Sequence, residues 1–304
     1  MKAHAILLIT LLALVLASCA PAPEAAPTTD IPPTDPPAAP TDEPAAPQPT
    51  ATPVIEYVAL VNGEGIRKSS FDASLLQLNA ALETYPQLVS ADQTPEEVVL
   101  QELINRTLLA QTARAGGFTA DLQITVDQMA SLIDQAGGND AFEAWLADNG
   151  YTLETYSYEV PLELEAAWQR DQIAAAVPDQ LEQVRAQQIL FYDPYQAERA
   201  IKQLDAGFAF ESIAQNNDPN NLGYLDWFPR GVLLFPALEE VAFSLQPGQF
   251  SEVIETEAGY HILYIFEKGL HPLSFESRLI LEEQAVADWL ADQRARASIQ
   301  VDLP

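Results

Sequence analysis

Cysteine, histidine and basic residues are scarce in this sequence. It has one Cys, three His and 14 Lys plus Arg, against 44 Asp plus Glu. Because the imidazoles and the thiol are few and far apart, we expect no zinc or copper site. The formal net charge of −30 argues against nucleic acid as a partner, which needs a basic surface. Phosphate-cradling glycine loops and Gly-x-Ser-x-Gly nucleophile motifs are also absent, so we expect no cofactor.

The N-terminus has the pattern of an export signal. Met1 and Lys2 are followed by an apolar run over residues 5–16, which is too short to span a bilayer. The run ends in Leu-Ala-Ser-Cys, so we predict a secretory signal peptide over residues 1–18. This ending resembles a bacterial lipoprotein signal, and the resemblance implies that Cys19 becomes a lipidated N-terminus. The alternative is an ordinary signal peptide that happens to contain a cysteine.

Residues 19–53 are predicted to be a disordered tether. Between Ala20 and Pro53 the chain contains twelve of its 23 prolines and no aromatic residue. Such a segment cannot bury enough apolar surface to fold. As extended polyproline II it reaches on the order of 100 Å. We therefore expect it to hold the folded part away from a membrane.

Residues 54–181 are predicted to be mostly helical. A β-rich run over 55–62 closes on Asn62-Gly63, a turn signal. Thr94 and Pro95 are typical of a helix start, and Gly116 ends that helix. Apolar spacing predicts helices over 69–85, 94–117, 120–135, 140–148 and 152–181. Pro161 is expected to kink or split the last of these.

A different pattern begins near Glu182. A strand over 184–191 is followed by helices over 195–206 and 208–217 and by a strand over 224–228. Another helix over 236–245 precedes a hairpin of strands over 250–255 and 260–267. The predicted order is β-α-α-β-α-β-β, a compact α+β domain. One more helix, over 274–299, follows it.

Four sequence blocks identify the α+β segment with a known family. "VRAQQIL", "GYLDWFPRG", "LEEVAFSLQPGQFSEVIET" and "GYHILYIFE" resemble the successive blocks of a parvulin (rotamase, PpiC-type) peptidyl-prolyl cis-trans isomerase, over residues 182–268. The segment starting "VALVNGEGIRKSSFDASLL" resembles the helical chaperone domain of SurA- and PrsA-type proteins. In those relatives a C-terminal helix returns to that domain, and residues 269–304 fit this role.

The resemblance implies a set of site residues. The family's second active-site histidine falls on His261, its acidic or cysteine position on Asp218, and its first histidine on Gln188. The substrate pocket falls on four apolar residues: Leu225, Leu233, Leu238 and Phe243. Because the stretch before the helix over 236–245 is one residue longer than usual, Leu234 could replace Leu233. Without the resemblance, His261 would be read as a structural histidine and the leucines as core.

Two adjacent amides interrupt the strand over 184–191. Since side chains alternate between the faces of a strand, Gln187 and Gln188 must point in opposite directions. We expect Gln187 to be the outward-facing residue. Gln188 is then the residue at the edge of the proline pocket, where the family has histidine.

The function implied by the resemblance is that of an extracytoplasmic, membrane-anchored peptidyl-prolyl isomerase and foldase. Its partners would be unfolded or extended exported polypeptides that contain X-Pro bonds, and a membrane reached through the lipid anchor. The alternative is a catalytically weak or inactive holdase chaperone. This alternative rests on Gln188 in place of histidine, on leucines where relatives have Met and Phe, and on a short loop at Asp218.

Overall fold

The computed structural model describes residues 55–220 and 222–302. The predicted signal peptide, Cys19 and the tether lie outside these residues. From Tyr57 on, the chain forms one compact unit that contains both a mostly helical part and an α+β part. Within the described ranges, every helix falls short of the length and apolarity needed to cross a membrane.

The helical part begins with a β-hairpin and continues through five helices. Asn62 and Gly63 form the predicted turn, with φ of 52° and 86°. The elements are β1 (Tyr57–Val61), β2 (Glu64–Arg67), α1 (Lys68–Leu82), α2 (Pro95–Ala115), α3 (Leu122–Ala136), α4 (Asn139–Asp148) and α5 (Leu153–Ala175). A short 3-10 turn, Pro86–Leu88, lies between α1 and α2.

Helix α2 starts as its sequence predicts. The Thr94 hydroxyl accepts the Glu97 backbone N–H, the Glu97 carboxylate accepts the Thr94 N–H, and Pro95 occupies the first turn. This capping box satisfies two backbone donors that have no partner within the helix. Helix α2 also carries Arg106, a buried guanidinium that pairs with the buried carboxylate of Glu159 on α5. The pair ties the two longest helices of this part together.

Helix α5 differs from its prediction at two points. It runs unbroken through Pro161, which was expected to kink or split it. It also ends at Ala175 and not near Leu181, and strand β3 begins at Gln180. Pro178 explains the early end, because the residue before a proline is driven out of the helical region of backbone space.

The C-terminal segment returns to the helical part, as predicted. Helix α9 (Phe275–Arg296) packs on α2 and α5, where Leu290 and Trp289 join Leu109 and Ala166 in one apolar cluster. The predicted end of this helix at residue 299 was wrong. Ile299–Val301 is a strand, β7, which pairs antiparallel with β1.

The α+β part has the predicted order β-α-α-β-α-β-β. Its elements are β3 (Gln180–Phe191), α6 (Pro194–Asp205), α7 (Phe210–Asn217), β4 (Tyr224–Pro229), α8 (Pro236–Ser244), β5 (Ile254–Thr256) and β6 (Gly259–Pro272). The four strands form an antiparallel sheet in the order β4-β3-β6-β5. The predicted fold class is therefore confirmed, with the C-terminal helix back on the helical part.

Helices cover both faces of this sheet at its centre. On one face Ile189 and Phe191 of β3 pack with residues of α6 and α7. On the other face Val184 and Ala186 pack with Leu238, Ala242 and Phe243, which all belong to α8. The prediction that Gln187 faces outward was wrong: it is 1% exposed. It shares the face of Ile189 and Phe191, which α6 and α7 cover.

Candidate active site

Gln188 and His261 meet on the α8-side face of the sheet. They lie on the paired strands β3 and β6, where Leu190 is opposite His261 and Gln188 is opposite Leu263. The two side chains are therefore diagonal neighbours on one face, which long side chains can bridge. Gln188 Oε1 lies 3.3 Å from His261 Nδ1. The structure thus brings two of the three predicted catalytic residues into contact.

The other ring nitrogen of His261 contacts Thr256. The Thr256 hydroxyl oxygen lies 2.8 Å from His261 Nε2. A carbonyl oxygen of an amide only accepts, so with Gln188 Oε1 facing the ring, Nδ1 carries the proton. Nε2 then accepts the O–H of Thr256. The imidazole is held at both nitrogens, and its orientation is fixed.

His261 is buried and favours its neutral form. Its side chain sits beside the Phe235 ring, with 5.9 Å between the ring centroids, and the residue is 3% exposed. Burial lowers the pKa of the imidazole, because a low-dielectric environment penalises the charged form. A neutral imidazole can both donate and accept a hydrogen bond.

Asp218 and Gln188 line the same cleft. Asp218 follows the last residue of α7, and its Oδ1 accepts the backbone N–H of Asn220. The cleft has a volume of about 330 Å³ and lies at the end of β3 where β4 no longer pairs. Its lining residues are Gln188, Ile189, Leu190, Tyr192, Ala214, Asn217, Asp218, Leu222 and Gly223. Gln188 therefore stands between the cleft of Asp218 and the ring of His261.

The four predicted pocket residues share one apolar cluster, and Phe235, which packs against this cluster, also contacts His261. Leu238 and Phe243 are buried in it, while Leu225 and Leu233 pack on its edge and stay partly exposed. Leu234, the alternative to Leu233, is 78% exposed. The Phe243 ring lies under the guanidinium of Arg230, 4.2 Å from its centroid, so it is covered from solvent.

Two residues of this arrangement were not predicted. Thr256 fell in the turn between the two predicted hairpin strands, and Phe235 fell between Leu234 and helix α8. The pairing of the two hairpin strands could have indicated that Thr256 lies near His261. Ile254 is opposite His261, so Thr256 lies two residues farther on and on the same face of the sheet.

In the part of the chain that the structure describes, no group of three or more His, Cys, Asp or Glu could hold a metal ion.

Comparisons with known proteins bear on the same segment. Residues 194–267 match the rotamase family, described as "PPIC-type PPIASE domain". The match includes Asp218, His261 and the four pocket residues, and it begins after Gln188. The resemblance predicted from the sequence blocks is confirmed.

Longer relatives are foldases and chaperones by name. The chain is 27% identical over 225 residues to "Foldase protein PrsA" of Halalkalibacterium halodurans, covering 64% of this chain and 67% of the relative. It is 26% identical over 230 residues to that of Caldanaerobacter subterraneus, with 68% and 72% covered. "Chaperone SurA" of Burkholderia thailandensis is 29% identical over 116 residues, 34% of this chain and 26% of the relative. A crystal structure of "Peptidylprolyl Isomerase (PrsA)" from Bacillus cereus matches with a TM-score of 0.47 at 21% identity, covering 82% of this chain and 95% of that one.

Proposed function

We propose, on the premise that residues 194–267 are a PpiC-type peptidyl-prolyl isomerase domain, that this protein is a membrane-anchored foldase. It acts outside the cytoplasm and speeds the cis-trans isomerisation of X-Pro bonds in exported chains. The observation that carries the proposal is the neutral, doubly hydrogen-bonded His261, which lies in contact with Gln188 above an apolar cluster.

The reaction needs no covalent intermediate. Rotation about the X-Pro bond breaks amide resonance and crosses a barrier of about 18–20 kcal/mol. A catalyst lowers this barrier by holding the proline ring in an apolar pocket and by offering hydrogen bonds to the twisted carbonyl. The partly exposed edges of Leu225 and Leu233 would contact the proline ring. Gln188 would offer its amide hydrogens to the carbonyl, and His261, bonded to Gln188 at Nδ1, would hold that amide in place. Asp218 would contact the bound peptide in the cleft.

Gln188 is compatible with this chemistry although the family resemblance expects histidine there. An amide both donates and accepts hydrogen bonds, as a neutral imidazole does. Isomerisation involves no net proton transfer, so a group with no titration near pH 7 can serve. The 3.3 Å contact with His261 Nδ1 supports a shared role for the two side chains.

The anchor is part of the proposal. Cys19 would carry the lipid, and the proline-rich segment up to residue 53 would place the isomerase at a distance from the membrane. A folding chain emerging from a membrane is then within reach of the site. The PrsA relatives carry the word foldase in their names, which supports the foldase part of the proposal.

The second candidate is a holdase chaperone with little or no isomerase activity. Gln188 in place of histidine favours it. Large apolar residues exposed on the helical part also favour it, because extended chains bind such surfaces. They include Leu122 (80% exposed), Val126 (51%) and Leu153 (52%).

Two assays on the same protein separate the candidates. The first measures isomerisation of an X-Pro peptide by wild type and by His261→Ala, and the second measures aggregation of an unfolded client. A foldase accelerates isomerisation, and His261→Ala lowers kcat/KM by about tenfold, because Gln188 loses the hydrogen bond that orients it. A holdase leaves isomerisation at the uncatalysed rate and suppresses aggregation equally with either variant. Failure of both assays would exclude both candidates.

A further inference from the structure

Gln187 makes a buried contact that the isomerase mechanism does not use. Its side chain is fully enclosed, and its Nε2 donates a 2.7 Å hydrogen bond to the backbone carbonyl of Leu222. Leu222 lies 35 residues farther along the chain, just before β4. A buried amide that donates to a single distant carbonyl ties two segments together with defined geometry.

The backbone that accepts this bond has an unusual conformation. Leu222 has φ of +58° and Gly223 has φ of +66°. L residues rarely adopt the left-handed region, and a branched side chain such as leucine needs surrounding contacts to stay there. Two hydrogen bonds from β3 hold the backbone of Leu222 and Gly223. Gln187 Nε2 donates to the Leu222 carbonyl, and the Gln188 backbone N–H donates to the Gly223 carbonyl at 2.8 Å.

The same backbone carries Asp218 into the cleft. The Leu222 N–H donates to the Asp218 carbonyl at 3.1 Å, so a short series of hydrogen bonds runs from Gln187 to Asp218. Asn217 adds a second tie, because its Nδ2 donates to the Leu190 carbonyl at 2.8 Å. Leu222 and Gly223 themselves form part of the cleft wall.

We propose that Gln187 is a positioning residue for the substrate cleft. By holding Leu222 in its left-handed conformation it sets the wall of the cleft and the place of Asp218 opposite Gln188. Gln187 lies on the opposite face of the sheet from His261 and makes no contact with it, so its hydrogen bond acts on the cleft that binds the peptide. This inference rests on the proposed isomerase function for its kinetic readout.

A matched control exists in the same strand. Gln183 is 0% exposed, and its Nε2 donates to the backbone carbonyls of His271 and Pro272 at 2.7 and 3.1 Å. It lies at the other end of β3, away from the cleft. Both glutamines can be replaced by methionine, which has similar length and no N–H. Both replacements remove one buried side-chain donor from β3, and only Gln187→Met removes a contact to the cleft.

The kinetic test compares Gln187→Met with Gln183→Met. Gln187→Met is expected to raise KM by about tenfold, as loss of one hydrogen bond allows, with kcat within about twofold of wild type. Gln183→Met is expected to leave both constants near wild type. Equal effects of the two variants, or a loss confined to kcat, would overturn the positioning role.

The Gln187→Glu variant gives a readout that general destabilisation does not. When its new carboxyl group is protonated, it can still donate to the Leu222 carbonyl, whereas the ionised form repels that carbonyl. Relative to wild type at each pH, the KM of Gln187→Glu should therefore rise as pH increases. A ratio that is constant with pH would contradict the hydrogen-bond role.

Amide hydrogen exchange at Leu222 tests the role of Gln187 without any measurement of catalysis. The Leu222 amide, bonded to Asp218, should exchange at least about tenfold faster in Gln187→Met than in Gln183→Met. If wild type does not isomerise peptides, the proposed function fails, and exchange at Leu222 still decides the role of Gln187. Unchanged exchange in Gln187→Met overturns it.

Discussion

The amide oxygen of Gln188 lies 3.3 Å from Nδ1 of His261, and the opposite nitrogen of the same ring lies 2.8 Å from the hydroxyl of Thr256. An imidazole held at both ends is fixed in one orientation and one tautomer. Because Gln188 also lines the cleft that contains Asp218, this residue connects the two halves of the candidate site.

Replacing Gln188 by histidine should increase catalysis. The family resemblance places histidine at this position, and its ring can reach the same neighbour across the strand pair. We expect Gln188→His to raise kcat/KM by about tenfold or less, the range of one hydrogen bond. Gln188→Leu should lower it, because an apolar side chain leaves His261 Nδ1 without its partner. A decrease in both variants would mean that the site is adapted to the amide.

Removing the Thr256 hydroxyl should impair the site even when the replacement leaves no cavity. Thr256→Val keeps the shape of the side chain, but it leaves the buried Nε2 of His261 without its donor. Such an unpaired group costs about 1–3 kcal/mol of folding free energy. We expect lower kcat/KM and a lower urea midpoint. Thr256→Ser retains the hydroxyl and should stay close to wild type in both measurements.

Gly223 should not accept a side chain. A Cβ at this position would lie 2.0 Å from the Gln188 carbonyl oxygen, and its φ of +66° is strained for alanine. We expect Gly223→Ala to lower the free energy of unfolding by about 3 kcal/mol and to displace Gln188. Gly207 is the matched control, since it has φ of +89° but no atom within 4 Å of its would-be Cβ. Gly207→Ala should cost only about 1–2 kcal/mol.

The burial of His261 should be visible in the pH dependence of stability. Its folded-state pKa lies below the ordinary value of 6.5, so the unfolded chain binds the proton more readily. The stabilisation is therefore present above pH 6.5 and is lost as pH falls through the folded-state pKa. Urea unfolding of wild type and His261→Gln should show a larger difference at about pH 7.5 than at about pH 5.5. A difference that is constant with pH would contradict the buried, neutral imidazole.

Substrate charge should affect the rate. The chain has a formal net charge of −30, and Asp218 lines the cleft beside Gln188. We expect higher kcat/KM for Lys-Pro than for Glu-Pro peptides, because like charges disfavour binding. The ratio should shrink at about 1 M salt, where charges are screened within a few ångströms. Asp218→Asn should also shrink it, whereas a ratio unaffected by salt would point to a steric origin.

Local sequence signals predicted the elements that local contacts determine. Thr94, Pro95 and Glu97 identify the start of α2, and Asn62-Gly63 identifies the turn of the first hairpin, because each is stabilised by residues within a few positions. The order of the α+β part also followed from local strand, helix and turn signals, whereas the site roles of His261 and Asp218 followed from the resemblance of successive blocks.

Long-range contacts decided the features that sequence reasoning missed. Ile299–Val301 becomes a strand because the edge of β1, more than 230 residues earlier, is available for pairing. Gln187 is buried because α6 and α7 cover its face of the sheet and the Leu222 carbonyl accepts its amide. Thr256 reaches His261 only through the register of the hairpin. None of these partners can be identified from the neighbouring residues in the sequence.

In the proposed function, Gln188 and His261 form one working isomerase site. A double-mutant cycle tests it, with kcat/KM for an X-Pro peptide measured for wild type, Gln188→Ala, His261→Ala and the double variant. We predict that each single variant lowers kcat/KM. The double variant should have a kcat/KM close to that of the less active single variant, which corresponds to an interaction free energy of about 0.5–3 kcal/mol between the two residues. Losses that simply multiply, or a wild-type rate equal to the uncatalysed rate, would contradict the claim.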